Sequence, residues 1–290
     1  MPRIAIVGAG PGGICAGIRL KQSGYRDFVI LEQAAGVGGT WWHNAYPGCA
    51  CDVPSHLYSF SFATKSDWPR PYATQPEIQA YLAECVDRFE LAPNLRLNTR
   101  VRSARWNDER ARWTLTLGND EQLEAEVLVS AVGLFNEPAY PEISGLRRFA
   151  GTVFHSARWR HDHDLTGQSV AVIGTAASAV QFVPKIAERV GRLDVYQRTP
   201  NWVRPRDESY TAEQLEKFRA DPAAAAQERQ AIWDWVNSII TLDDPEIMAE
   251  SRRVCLENLA RVSDPEIRRK LTPDYPFGSK RPLISNDWYP

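Results

Sequence analysis

Long hydrophobic runs are missing from this sequence. The longest uncharged stretch near the N-terminus, residues 4–18, is too short to span a bilayer and contains five glycines and Pro11, which excludes a membrane anchor there. The same glycines break the continuous apolar region that a secretory leader needs, so a cytoplasmic protein is expected. Cysteine is scarce. Cys15, Cys49, Cys51, Cys85 and Cys255 are five in number with no zinc-like pairing, and they read as free thiols in a reducing compartment. An excess of one charge is missing too. With 34 basic and 36 acidic residues the net charge is -2, which offers no field to attract nucleic acid or an anionic membrane. Small-molecule partners are expected instead. What remains is an ordinary globular composition, 43% hydrophobic and 24% charged over 290 residues, long enough for two domains.

Residues 3–7 (RIAIV) form a short run of branched residues that leads straight into Gly8, Gly10 and Gly13 and then into a helical pattern ending near residue 24. The order is strand, tight glycine turn, helix. In such a turn the first glycine permits the bend, the second lets the backbone approach a pyrophosphate, and the third lets helix and strand pack closely. The phosphate then rests on the N–H groups at the helix N-terminus. Composition alone yields three glycines at this spacing in about one chain in ten of this length, so the context must carry the reading. It does: a second apolar run, residues 28–31 (FVIL), ends in Glu32, where these folds place an acid for the adenosine ribose.

The unit recurs at residues 169–173 (SVAVI), followed by Gly174, Thr175, Ala176, Ser178 and Ala179, a helix to about residue 189, and the strand 193–196. Arg198 lies 24 residues after Gly174, the offset that separates Glu32 from Gly8. An acid accepts from a ribose hydroxyl and repels a 2′-phosphate, whereas arginine clamps that phosphate through two hydrogen bonds. The first site therefore suits FAD and the second NADPH. Ala176 puts a methyl group where close backbone approach is wanted, so a nucleotide fold that no longer binds nucleotide is the competing reading of the second unit.

Two further segments carry a family resemblance. Residues 38–52 (GGTWWHNAYPGCACD) and 149–159 (FAGTVFHSARW), with the paired nucleotide motifs, resemble the Baeyer–Villiger monooxygenases. Residues 197–202 (QRTPNW) and 275–281 (YPFGSKR) look like segments of the same family, so the resemblance runs along essentially the whole chain. Arg160 stands where the family usually has Pro or Asp, which leaves the subfamily open. The resemblance implies an α/β fold with two Rossmann-like dinucleotide-binding domains, for FAD and NADP, and a helical insertion. It implies insertion of one oxygen atom of O2 beside a ketone carbonyl, through a peroxyflavin, to give an ester or lactone. Residue by residue, it implies Arg281 as the active-site arginine with Asp52 its neighbour beside the flavin, and Lys280, Arg198 and Thr199 as the 2′-phosphate contacts. Gly39, Thr40, Trp41 and Tyr58 join the flavin site by the same reasoning. The family's chains continue well beyond residue 290, so a shortened chain is expected.

The chemistry asks for these residue types independently. Negative charge develops on oxygen during such a reaction, and an arginine is always protonated and presents its donors in a fixed plane. A carboxylate beside it fixes that plane through a charge-assisted hydrogen bond. In an extended segment neighbouring side chains face opposite ways, which would let Lys280 and Arg281 serve two ligands. Plainer readings stand beside these. His155 is read as a structural hydrogen-bonding residue, His161 and His163 as part of an exposed polar turn, and no metal site is expected. Cys49 and Cys51 have the wrong spacing for a redox dithiol. Oxygenation of nitrogen or sulfur and a non-catalytic dinucleotide-binding fragment are the alternatives.

Four regions are expected: an FAD unit over 1–140 with strands near 113–117 and 127–132, a linker and the first part of an NADP unit over 141–205, a helical insertion over 206–270, and a return into the NADP unit over 271–290.

Overall fold

The computed structural model describes residues 3–206, 209–241 and 244–289. The chain is α/β and divides into two compact units, one made of residues 1–45 and 75–159 and the other of 46–74 and 160–290. The division is not linear in sequence: residues 46–74 leave the first unit and pack within the second, and the first unit extends to 159 rather than 140.

In the first unit β1 (Ile4–Val7), α1 (Pro11–Gln22) and β2 (Phe28–Leu31) follow the order read from the sequence. A short helix α2 (Thr40–His43), a longer α3 (Gln75–Arg88) and β3 (Leu95–Arg96) come next. Then β4 (Val101–Asn107), β5 (Arg112–Leu117) and β6 (Gln122–Ala125) form an antiparallel meander, and β7 (Val127–Ser130) returns to the first sheet. That sheet is parallel throughout, in the order β3-β2-β1-β7. β1 and β2 read as continuous apolar runs because both of their faces are covered. Alternate residues Ala5, Val29 and Leu31 pack on Leu115, Leu117, Leu123 and Ala125 of the meander. The other face meets α1, where Gly17 lies so close to Ile30 and Phe28 that a Cβ there would stand 2.8 Å from the Ile30 side chain.

The second unit opens with β8 (Ser169–Ile173), α4 (Ala179–Ala187) and β9 (Arg192–Tyr196), and β8 and β9 pair in parallel. β10 (Val203–Arg204) leads into four helices, α5 (Ala212–Ala220), α6 (Pro222–Thr241), α7 (Pro245–Leu259) and α8 (Pro265–Leu271). The chain then returns as β11 (Leu283–Ile284), parallel to β10. The helices are started by side chains. Thr211 and Gln214 form a reciprocal capping box on α5, and Asp244 and Asp264 accept backbone N–H bonds at the heads of α7 and α8, each followed by proline. Val180, Val203, Leu259, Val262, Leu283 and Tyr289 form the core that binds α4 to the β10–β11 pair and α7. Among the described residues no helix is long and apolar enough to cross a membrane.

Candidate functional site

In the first unit a cavity of about 370 Å³ opens at the carboxyl ends of β1, β2 and β7, lined by Gly8, Gly10, Glu32, Gly39, Thr40 and His43 among others. This is the point where the strand order reverses about β1, the usual ligand crevice of a doubly wound sheet. Two glycines are demanded by the protein's own packing. A Cβ at Gly8 would stand 2.4 Å from the Ala131 carbonyl oxygen, and one at Gly13 would stand 1.8 Å from that of Gly8. Gly10 is different: its nearest neighbour would be the Gly39 Cα at an ordinary 3.5 Å. Nothing within the fold requires glycine there. Gly10 is also the N-cap of α1 and supplies no side-chain cap, unlike the residues heading α5, α7 and α8. The first-turn N–H groups are thus left to an anion or to water.

Glu32 is buried, and its two carboxylate oxygens accept from the backbone N–H groups of Ala9 (2.7 Å) and Ala34 (2.8 Å). It holds the glycine turn against the end of β2 and keeps its remaining lone pairs for the cavity. His43, which the sequence reading did not single out, lines the same cavity. Burial, aided by the Arg158 charge, lowers its pKa, so the ring is neutral at neutral pH. Trp41 is buried and is not part of the cavity lining; its carbonyl accepts from Gln75 Nε2. Gln79 donates to the Val37 carbonyl at 2.6 Å. These two glutamines of α3 fix the loop that carries Gly39 and Thr40, a role with no signal in the sequence.

In the second unit Arg281 Nη2 donates to Asp52 Oδ1 at 2.7 Å across 229 residues of sequence. The guanidinium is exposed, 67%, and the carboxylate partly buried, 25%. The loop that carries Asp52 is held by a clamp the sequence did not announce. Gln181 of α4 accepts from the Tyr46 hydroxyl (3.0 Å) and the Ala50 N–H (3.3 Å) and donates to the Ala50 carbonyl (3.0 Å). Gly48, at φ +78°, lies so near that a Cβ would stand 2.8 Å from the Gln181 carbonyl oxygen. Cys51 N–H donates to the Ala73 carbonyl on the other side. Tyr58 is half-buried nearby in sequence, its N–H bonded to the Pro54 carbonyl. Burial pushes the thiols of Cys49 and Cys51 up to about 11 and about 12, the opposite of an activated redox pair.

The second glycine turn is open. Gly174 has φ +106°, and a Cβ there would meet nothing within 4 Å, so its backbone conformation alone asks for glycine. Thr175 is buried, with its carbonyl accepting from Asn201 (2.8 Å), while Ala176 is exposed. Ser178 precedes Ala179 as an N-cap whose side chain does not cap the helix. Arg198 is exposed just past β9, and Thr199 is half-buried. Lys280 sits in a bend rather than an extended strand, its ammonium 4.5 Å from the centre of the Tyr275 ring. His155 Nδ1 accepts from the Ala157 N–H at 3.1 Å, a local structural bond. Arg160 is paired with Asp162 in the exposed turn that holds His161 and His163.

Two glycine turns, each set between parallel strands, place this chain in the class of α/β proteins with paired Rossmann-like units. It belongs to the pyridine nucleotide-disulphide oxidoreductase family, whose sequence model matches residues 5–231. Within that family it is homologous to Baeyer–Villiger monooxygenases. One from Streptomyces coelicolor is 46% identical over 99% of this chain and 56% of its own length. Another, from Pseudomonas aeruginosa, is 43% identical over 99% of this chain and 55% of its own. The chain thus spans about half the length of these curated relatives. Among solved structures, an oxidized steroid monooxygenase bound to NADP superposes with a TM-score of 0.82 at 34% identity, over 99% of this chain and 62% of that one. A closed cyclohexanone monooxygenase does so with a TM-score of 0.84 at 31% identity, over 99% and 62%.

Proposed function

We propose that this chain is the nucleotide-binding and oxyanion-holding part of an FAD- and NADPH-dependent monooxygenase that inserts one atom of O2 beside a ketone carbonyl, giving an ester or lactone. The observation that carries the reading is the Arg281–Asp52 hydrogen bond of 2.7 Å, in a chain similar along its whole length to named Baeyer–Villiger monooxygenases.

The first unit fits the adenosine diphosphate portion of FAD: Gly10 lines the cavity with a bare backbone that the fold itself does not demand, α1 has no side-chain cap, and Glu32 offers acceptors to a ribose. Gly39, Thr40 and the neutral His43 complete the wall, and the buried Trp41 and Tyr58 are assigned to the same cofactor. In the second unit the turn at Gly174, Thr175, Ala176, Ser178 and Ala179 receives the NADPH pyrophosphate, and Arg198, Thr199 and Lys280 receive its 2′-phosphate. When bound, FAD reduced by NADPH supplies the activated oxygen. The chain's own residues then govern charge. The Arg281 guanidinium stabilises the negative charge that develops on the ketone oxygen, and Asp52 keeps its plane fixed so that little reorganisation is needed. The five free thiols support a cytoplasmic setting.

The test is to load the protein with FAD, mix it anaerobically with NADPH, and then admit oxygen with cyclohexanone while following flavin absorbance and product by gas chromatography. Bleaching by NADPH followed by lactone supports the proposal. Sulfide oxidation without lactone would reassign the chain to heteroatom oxygenation, and failure to retain flavin would make it a non-catalytic fragment. Arg281→Ala is expected to keep flavin and lower lactone formation by about 10²–10³-fold, the range for removing one oxyanion donor.

A further inference from the structure

The cavity of the first unit carries a contact that nucleotide binding by itself does not explain. Gln33 directly follows Glu32 beyond the end of β2, Asn136 lies in the loop that follows β7, and both line the cavity. Gln33 Nε2 donates to Asn136 Oδ1 at 3.0 Å. In the sheet order β3-β2-β1-β7 the strand between the two is β1. Neighbouring strands lie about 4.8 Å apart, so a bond joining residues past β2 and past β7 has to cross the end of β1. At that end the chain turns through Gly8 and Gly10. The hydrogen bond thus spans the crevice from one wall to the other.

The loop on the β7 side is held by polar ties. Gly133 opens it at φ +74°, and a Cβ there would meet nothing within 4 Å, which makes it a backbone pivot free of close neighbours. Leu134 and Phe135 follow, 93% and 81% exposed, so apolar burial does not fix them. Arg158 Nη2 donates to the Asn136 carbonyl at 2.9 Å. Arg100 stands 3.7 Å from Glu137 with both side chains mostly exposed, an ion pair of small worth in water. Of these ties the Gln33 amide is the one that reaches over the glycine turn. A neutral amide bond is strong enough to bias the loop toward closure and weak enough to open.

We propose that the Gln33–Asn136 bond is a clasp that closes the 133–136 loop over the adenosine half of FAD and slows release of the cofactor. This rests on the FAD reading of the cavity. The dinucleotide lies along the glycine turn beneath the bridge, and the two amides keep hold of each other while it is bound. Neither side chain is charged, so the clasp lacks the salt sensitivity of a contact between ions.

The test is flavin release from the FAD-loaded 290-residue chain, followed as fluorescence of the freed flavin after dilution. Wild type is compared with Gln33→Met, Asn136→Leu and the double variant. Each single variant is expected to release FAD about 2- to 10-fold faster, the fold-change of one net hydrogen bond. The double variant should release it no faster than the singles, because the two side chains act as one tie. Melting midpoints of the flavin-free variants should stay near wild type, which separates a clasp from a merely structural bond. Where a variant does not fold, alanine at the same position removes the same group. Unchanged release in a single variant, effects that add in the double, or a flavin-free midpoint that falls in step with release would each overturn the clasp. So would faster FAD association with no faster release, the behaviour of a bridge that blocks entry. A wild-type chain that retains no flavin removes the FAD reading and the clasp with it, whereas retention with unaltered variants removes the clasp alone.

Discussion

Gly10 and Gly13 stand three residues apart in one turn and do different work. A methyl group at Gly13 would be driven 1.8 Å from the Gly8 carbonyl oxygen, a backbone atom that cannot step aside, whereas one at Gly10 meets only Gly39 Cα at 3.5 Å. Gly13→Ala is therefore expected to destabilise the fold by about 1–3 kcal/mol or more, as overpacking does. Gly10→Ala should leave the denaturation midpoint near wild type while weakening FAD retention. Denaturant melts and flavin absorbance after gel filtration separate the two, and equal loss of stability in both would remove the assignment of Gly10 to the ligand. The Arg281–Asp52 pair calls for the same separation. Its arginine is 67% exposed, so the ion pair itself adds only about 0–1 kcal/mol to stability. Asp52→Asn should melt like wild type and lose product formation through a misoriented Arg281.

At the scale of elements, α4 serves as the support for the loop that carries Asp52. Gln181 makes three hydrogen bonds to Tyr46 and Ala50, and Gly48 fits flush on the helix backbone. Gln181→Leu removes all three and is expected to lower kcat with little change in the binding of either nucleotide; circular dichroism should show the helix intact. A simultaneous loss of flavin would contradict a role confined to Asp52. The helical segment is anchored differently, by its caps. Asp264→Ala takes away the acceptor for the Glu266 and Ile267 N–H groups and should cost about 1 kcal/mol in denaturant unfolding. The helical character of residues 206–270 is legible in the sequence from its strong helix formers, whereas the acidic caps and following prolines that start α7 and α8 are findings of the structure. The β10–β11 pair is not legible, because two-residue strands have no period to detect and their partners are separated by the whole helical segment.

For the whole molecule, burial sets the behaviour of the thiols. Cys49, Cys51, Cys85 and Cys255 are buried and Cys15 is half-buried. One thiol is expected to react quickly with a disulfide reagent in the native state and five after denaturation. Burial raises the values of Cys49, Cys51 and Cys255 from 9.0 to about 11, about 12 and about 12. Above pH 9.0 the unfolded chain loses these protons while the folded chain keeps them. The stability tied to them is thus complete below that pH and is lost as pH climbs toward the folded values. Urea midpoints measured at neutral pH and at high pH check the sign: a midpoint that rises would refute it.

The sequence by itself determined the two glycine turns, the strands that precede them, the acid and the arginine at matching offsets, and the helical character of the later segment. Each is a local matter, fixed by backbone sterics, side-chain period and capping within a few residues. It also supplied the Arg281–Asp52 pairing, but only through resemblance. The tertiary structure alone decided that residues 46–74 belong with 160–290, that Gln181 is the clamp beneath Asp52, and that Gln75 and Gln79 fix the Gly39 loop. It alone brought Gln33 to Asn136 across the end of β1. Those arrangements join residues far apart in the chain through single hydrogen bonds and close backbone approaches, and no periodicity or spacing encodes them.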